Sequence, residues 1–140
     1  MQITQSIATI ILAASAVSAA PAPAPAPAGA IRAWTFRDAT RSCDKPNNVC
    51  TWNFIVDDHV KPIHCTFVNK RQGNVPASHA NNQGPQTCGP YSITNNWAGS
   101  FMAFAVNDYG RKITSYPAYN DQELAAHPKG LTKDANTNAW

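Results

Sequence analysis

Beyond residue 30 the chain reads as short runs in which apolar and polar positions alternate, separated by turn formers. Arg32–Arg37 puts Trp34 and Phe36 on one face. Cys50–Val56 groups Cys50, Trp52, Phe54 and Val56, and Ile63–Val68 groups Ile63, Cys65 and Phe67. Successive side chains of a strand point to opposite faces, so each run predicts a half-buried strand. Tyr91–Thr94 and Lys112–Tyr116 predict two more. Phe101–Val106, apolar on both faces, predicts a central strand. Turn compositions at Asp44–Asn48, Asp57–Pro62 and Asn107–Gly110 separate these runs. Lys70–Thr87 has no apolar period and predicts a long exposed loop, and Lys129–Trp140 predicts an irregular tail. A helix of about two turns is predicted over Asp121–Ala126, capped by Asn120 or Asp121 and stopped before Pro128. The expected class is all-β: one small sandwich or barrel of about six strands with a short C-terminal helix.

The first thirty residues follow another pattern. They carry no charged side chain, and Ile7–Ala14 is an apolar core, interrupted only by Thr9, followed by Val17-Ser18-Ala19. This predicts a secretory signal peptide over residues 1–19, cut after Ala19 because a later cut would leave Pro21 at the new terminus. The apolar run is short of the ~20 residues that a membrane-spanning helix needs. The PAPAPAPA stretch, Pro21–Ala28, fixes φ and removes donors at alternate positions, so residues 20–30 are expected to be an extended spacer. The folding unit is then residues 31–140, a single domain.

Export changes how the cysteines are read. Cys43, Cys50, Cys65 and Cys88 form an even set with no C-x-x-C and no H-x-x-x-H, which favours two disulfides over zinc. Four cysteines allow three pairings. The favoured one joins Cys43 to Cys50, closing the DKPNNV loop, and Cys65 to Cys88, clamping the long loop. On a chain-entropy model these links contribute roughly 2.5 and 3.5 kcal/mol.

Composition excludes more than it assigns. The 140 residues carry 11 Lys plus Arg against 8 Asp plus Glu, for a formal charge of +3. The basic residues are scattered and form no stripe, so no nucleic acid is expected as a partner. There is no phosphate-binding glycine loop, zinc-protease or calcium-loop motif, and no cofactor or metal is expected. Asp57-Asp58 is the one adjacent carboxylate pair, and its turn setting predicts a solvated pair. A ribonuclease-like hydrolase would have to draw on His64, His79, Glu123 and Arg111. Glu123, the sole glutamate, falls in the predicted helix and not on a strand. Tyr116-Pro117-Ala118-Tyr119-Asn120-Asp121 places two aromatics among polar groups, a composition able to stack on sugar rings, so weak contact with wall glycan is a third reading. Packing of one tyrosine beneath the connector, with Pro117 shaping it, is the competing account, and Trp97 is expected in the core. No Asn-x-Ser/Thr site is present.

Several segments in order carry a family likeness. Trp34-Thr35-Phe36-Arg37-Asp38, the Cys43/Cys50 spacing, Cys88-Gly89-Pro90-Tyr91-Ser92-Ile93-Thr94 followed by Trp97, and Tyr116-Pro117-Ala118-Tyr119 with Asp121–Leu124 resemble a family of small secreted fungal proteins. Its members are described as hypersensitive-response-inducing elicitors or effectors. The likeness spans about residues 31–126, and departs after Trp97, where this chain lacks a glycine-rich insertion. The mould major-allergen β-barrel family is a looser likeness. The resemblance implies a secreted, extracellular, β-barrel-like protein that plant tissue perceives, with cell death and defence signalling as the outcome. Its partner would be an apoplastic or plasma-membrane component of the plant. It implies no catalytic centre, and its disulfide role falls on Cys43, Cys50, Cys65 and Cys88. Candidate recognition residues are Tyr116, Tyr119 and Asn120 in the connector and Lys70 and Arg71 at the loop.

Overall fold

A computed structural model describes residues 32–81 and 84–140. The expected signal peptide and spacer lie outside these residues. Ten strands and one helix follow in order: β1 Trp34–Cys43, β2 Val49–Asp57, β3 Ile63–Lys70, β4 Gln86–Cys88, β5 Tyr91–Trp97, β6 Phe101–Asp108, β7 Ile113–Ser115, β8 Ala118–Asn120, α1 Asp121–Ala126, β9 Leu131–Ala135 and β10 Thr137–Ala139. All the strand pairings are antiparallel. One sheet has the order β3-β2-β1-β9; the other runs β10-β7-β6-β5-β4, with β8 also on β6. The all-β class is as expected. The architecture is a sandwich of two separate sheets and not a closed barrel, because among the described residues no ladder joins them.

On β1, β2 and β3 the inward faces are those the alternation predicted. Trp34, Phe36, Trp52, Phe54, Val56 and Phe67 from the first sheet meet Tyr91, Ile93, Met102, Phe104, Val106 and Tyr119 from the second, all nearly inaccessible. Phe104 on the central strand β6 is the hub. Its ring lies 5.0 Å from Trp52, 5.3 Å from Phe67, 5.6 Å from Phe54 and 6.2 Å from Tyr119, in tilted or edge-on arrangements. Such geometry sets the positive edge of one ring against the negative face of another.

Where the strands run past their predicted ends, a local irregularity explains it. Arg32–Arg37 looked complete because its alternation breaks at Asp38. There β1 bulges: Asp38 sits at φ +54°, and the pairing register slips between residues 37 and 40 on β2 and between 36 and 39 on β9. The extra residue changes the parity, so Ala39 follows Phe36 into the core and the strand continues to Cys43. The displaced Asp38 amide donates to Thr132 Oγ1 at 3.2 Å. Gly130 lies against the bulge; a Cβ there would come within 2.7 Å of the Asp38 Cα.

Two expectations are corrected. The tail is regular: β9 pairs with β1 and β10 with β7, so the chain crosses from one sheet to the other at Asn136. Its five- and three-residue strands carry too little apolar periodicity to be read locally, and their partners create them. The Lys70–Thr87 segment is not simply an exposed loop. Ala77 and Ala80 are fully buried around a 3₁₀ turn at Ala77–His79. Buried side-chain amides supply the hydrogen bonds that a ladder would otherwise provide: Asn69 Nδ2 donates to the Ala77 and Ala80 carbonyls, and Asn95 Nδ2 to that of Ala80 at 2.8 Å. Asn47, in the β1–β2 turn, exchanges bonds with the Ser78 hydroxyl and amide.

Each open edge of the sandwich is fastened. Cys65 on β3 is bonded to Cys88 on β4, joining the two sheets covalently. Beside that bond the Gln86 amide donates to Val68 O at 2.7 Å and accepts from Val68 N at 2.9 Å, imitating a strand partner. Cys43 and Cys50 are bonded across the β1–β2 hairpin, where they face each other in register. On the opposite edge, the β9–β10 crossover joins the sheets through the chain itself. There Lys133 Nζ reaches from β9 to the Ala118 carbonyl of β8 at 2.7 Å and blunts both edges.

Two substitutions test this account by urea unfolding. Phe104→Ala is expected to cost about 3–5 kcal/mol, because four neighbouring rings lose their common partner. Gly130→Ala is expected to cost roughly 1–3 kcal/mol through its clash with the bulge, although it adds only a methyl group. An unchanged midpoint for Gly130→Ala would mean that the bulge gives way freely.

Candidate recognition surface

The connector candidates divide between core and surface. Tyr116 and Pro117 interrupt the line of β7 and β8 along β6, and Phe104 N donates to the Pro117 carbonyl at 2.9 Å across the break. Alternate positions beyond the break turn opposite ways. Tyr119 is buried, 5.8 Å from the Trp52 ring, and Tyr116 is 53% exposed. Burial, reinforced by the Glu123 carboxylate, pushes the Tyr119 phenol well above its usual range. Only Tyr116 of the pair meets solvent.

Asn120 serves as the cap of α1. Its Oδ1 accepts from Glu123 N at 2.7 Å, while Glu123 Oε2 accepts from Asn120 N at 3.1 Å, a reciprocal capping box. Glu123 also holds Lys133 Nζ at 3.0 Å. The Asn120 amide, with the Lys133 ammonium, keeps the Glu123 carboxyl below its usual range against the opposing effect of burial. Arg71 is a brace: its guanidinium donates to Gly73 O, Pro46 O and Asn48 Oδ1, binding the loop to the β1–β2 turn. Lys70 ends β3 at an exposed position.

Beside α1 lies a cluster that no local pattern revealed. Asp121 Oδ1 takes Arg41 Nη1 at 2.8 Å, and Asp121 Oδ2 is 3.1 Å from His79 Nε2. The His79 ring stacks on Trp97 with centroids 3.8 Å apart and planes at 20°. Trp97 is therefore half-buried beneath a histidine and packs against the margin of the core. The Arg41 guanidinium also lies 5.4 Å from the Trp52 ring centroid. Burial pushes the Asp121 carboxyl up, but the bonds to His79 and Arg41 outweigh it and keep it ionised. The four residues come from β1, the 3₁₀ turn, β5 and α1, so sequence spacing could not have joined them.

At the far end, Arg111 sits between two carboxylates. Its Nε contacts Asp108 Oδ2 at 2.6 Å and its Nη2 bonds Asp58 Oδ2, while the guanidinium lies over Trp34 at 5.4 Å. Asp58 belongs to the first sheet's β2–β3 turn and Asp108 to β6 of the second. The pair Asp57-Asp58 is thus not a solvated pair: the Asp58 side chain is 6% exposed. Burial alone would raise the Asp58 carboxyl. The amides of Lys61 and Val60 at 3.0 and 2.9 Å, together with Arg111, reverse this and hold it at about 2. Arg111 in turn is raised further above its usual range, since the two carboxylates outweigh burial.

His64, His79, Glu123 and Arg111, the candidates for hydrolase chemistry, have different partners. Among the described residues no hydrogen bond or ion pair joins any two of them. Nor do three His, Cys, Asp or Glu side chains converge there as metal ligands would. No helix among the described residues is long and apolar enough to cross a membrane.

Comparison with known proteins settles the family. The family model described as Effector TSP1 matches residues 35–139. A protein of Hypocrea virens (strain Gv29-8 / FGSC 10586) named Effector TSP1 is 41% identical over 134 residues, which is 90% of this chain and 89% of the relative. The chain belongs to the Effector TSP1 family. The likeness carried by the Trp34, Cys88 and Tyr116 segments thus leads to a fungal effector family. In this TSP1-family chain the connection after Trp97 is a tight turn in which Gly99 adopts φ +83°, and β5 and β6 pair directly across it.

Removing Arg111 tests the ionic clamp. Asp58 ordinarily titrates at 3.8, so its depressed value contributes about 2 kcal/mol of stability that is complete above about pH 5 and lost as pH falls toward 2. Arg111→Ala leaves two enclosed carboxylates facing each other and is expected to cost about 3 kcal/mol at pH 7. The difference from the unaltered protein is expected to shrink as the pH falls toward 2, read from urea midpoints across that range.

Proposed function

We propose that the protein is a secreted fungal effector that acts without catalysis. Plant tissue perceives its folded surface, and perception induces hypersensitive cell death and defence signalling. Membership of the Effector TSP1 family over residues 35–139 carries this reading. Two disulfides favour it too, since such bonds persist in an oxidising extracellular space. The recognition surface on this reading combines the Lys70–Arg71 corner with Tyr116. Arg71 holds two turns in one shape and Tyr116 projects from a fixed backbone. Both depend on the fold, which the sheet-to-sheet bond between Cys65 and Cys88 stabilises.

Leaf infiltration tests the proposal. Purified folded protein is expected to produce an oxidative burst and local necrosis. Cys65→Ser/Cys88→Ser protein, destabilised by roughly 3.5 kcal/mol, is expected to lose most of that response. Folded protein that leaves the tissue unaffected would overturn the reading.

A further inference from the structure

We propose that the surface astride Tyr116 binds a neutral oligosaccharide, with the Tyr116 ring as its stacking platform. The platform is built and not incidental. Tyr116 is 53% exposed, yet the backbone on either side is held: Tyr116 N donates to Asn136 O at 3.4 Å, and the adjoining Pro117 is buried and accepts from Phe104 N. An exposed aromatic on a fixed backbone presents apolar area at little entropic cost.

Two depressions meet at this ring. One, of about 410 Å³, lies in the seam between the sheets, where Tyr116, Pro117 and Ala118 face Lys133, Asp134 and Asn136. The other, of about 190 Å³, lies on the outer face of β5 and β6, where Thr94 and Asn96 stand beside Ala103 and Ala105. Small side chains at 103 and 105 leave a flat floor, and the amides of Asn96 and Asn136 and the Thr94 hydroxyl both donate and accept hydrogen bonds. A pyranose ring requires this combination: an apolar face of C–H groups to lay on an aromatic ring, and a rim of hydroxyls to bond. Depressions on both sides of one platform suit a linear chain of several rings better than a single sugar.

The electrostatics select a neutral chain. Lys133 Nζ is engaged by both Glu123 oxygens and by Ala118 O. Asp134 Oδ1 accepts from Thr35 Oγ1 at 2.7 Å. Both charged groups in the lining therefore already have partners, and an ionic ligand would have to displace them.

The test titrates isotopically labelled, folded protein with soluble hexasaccharides and follows amide chemical shifts. The neutral ligands are chitohexaose and laminarihexaose, with linkages of fungal walls, and cellohexaose and xylohexaose, with linkages of plant walls; hexagalacturonate is the anionic comparison. At least one neutral ligand is expected to shift the amides of residues 94, 96, 103, 105, 116 and 136, and the set that binds identifies the wall. Tyr116→Ala is expected to raise the dissociation constant at least about tenfold, while Tyr116→Phe stays within about twofold. Tyr109→Ala, which removes another exposed ring against Trp140, is expected to bind normally. No shifts at these amides with any neutral ligand, equal binding by Tyr116→Ala, or preference for hexagalacturonate would each overturn the proposal. Binding is read without plant tissue, so its failure is separate from failure of the leaf response.

Discussion

The contact of Phe104 with the opposite sheet is the constraint on which the rest depends. A sheet with one apolar face is stable only when that face is covered. Here a single side chain on the central strand touches rings from β2 and β3 of the facing sheet and from β8 of its own. Its position sets how far apart the sheets lie and which rings interdigitate. The Pro117 carbonyl, bonded to the Phe104 amide, ties the connector to the same residue. Exposure of Tyr116 and burial of Tyr119 are therefore two consequences of where Phe104 sits.

Around that hub the molecule is fastened by chemically different devices at different places. A disulfide and a side-chain amide close the edge at β3 and β4, the chain closes the other edge as it passes from β9 to β10, and Arg111 ties the β2–β3 turn to β6. The disulfide acts through the unfolded state, the ion pair through charge compensation, and the crossover through backbone pairing. Because these mechanisms are independent, acid or a reductant removes one and leaves the others. Such redundancy suits a small domain, whose core alone supplies little surplus stability.

The surface features divide along the same line. Arg71 and Asn120, which composition offered as recognition residues, are spent on internal bonds. Polar side chains in a domain of this size are needed first for backbone groups that no strand satisfies. The Asn69 and Asn95 amides that hold the buried Ala77–Ala80 segment show the same economy. Projection from a fixed backbone, as at Tyr116, distinguishes a side chain free to meet a ligand, and that property belongs to the packing.

Much of the fold was legible in the chain. Period-two alternation marked β1, β2, β3, β5 and β7, an apolar run marked β6, a cap at Asn120 or Asp121 marked the helix start, and an even cysteine set marked two staples. These signals are local, because a strand's buried face and a helix cap are written within a few residues. What stayed hidden was set at a distance. The bulge at Asp38 breaks the alternation that would have revealed the rest of β1, and β9 and β10 exist because β1 and β7 offer them unpaired edges. Arg111 with Asp58, and His79 with Asp121 and Trp97, meet only after the sheets pack. By itself the sequence determined an all-β, twice-stapled domain with an aromatic interior. The tertiary structure alone decided which polar groups the interior consumes and which ring remains outside. The reason is that side chains as far apart along the chain as Asp58 and Arg111, or His79 and Asp121, become neighbours only once the strands pair and the sheets pack.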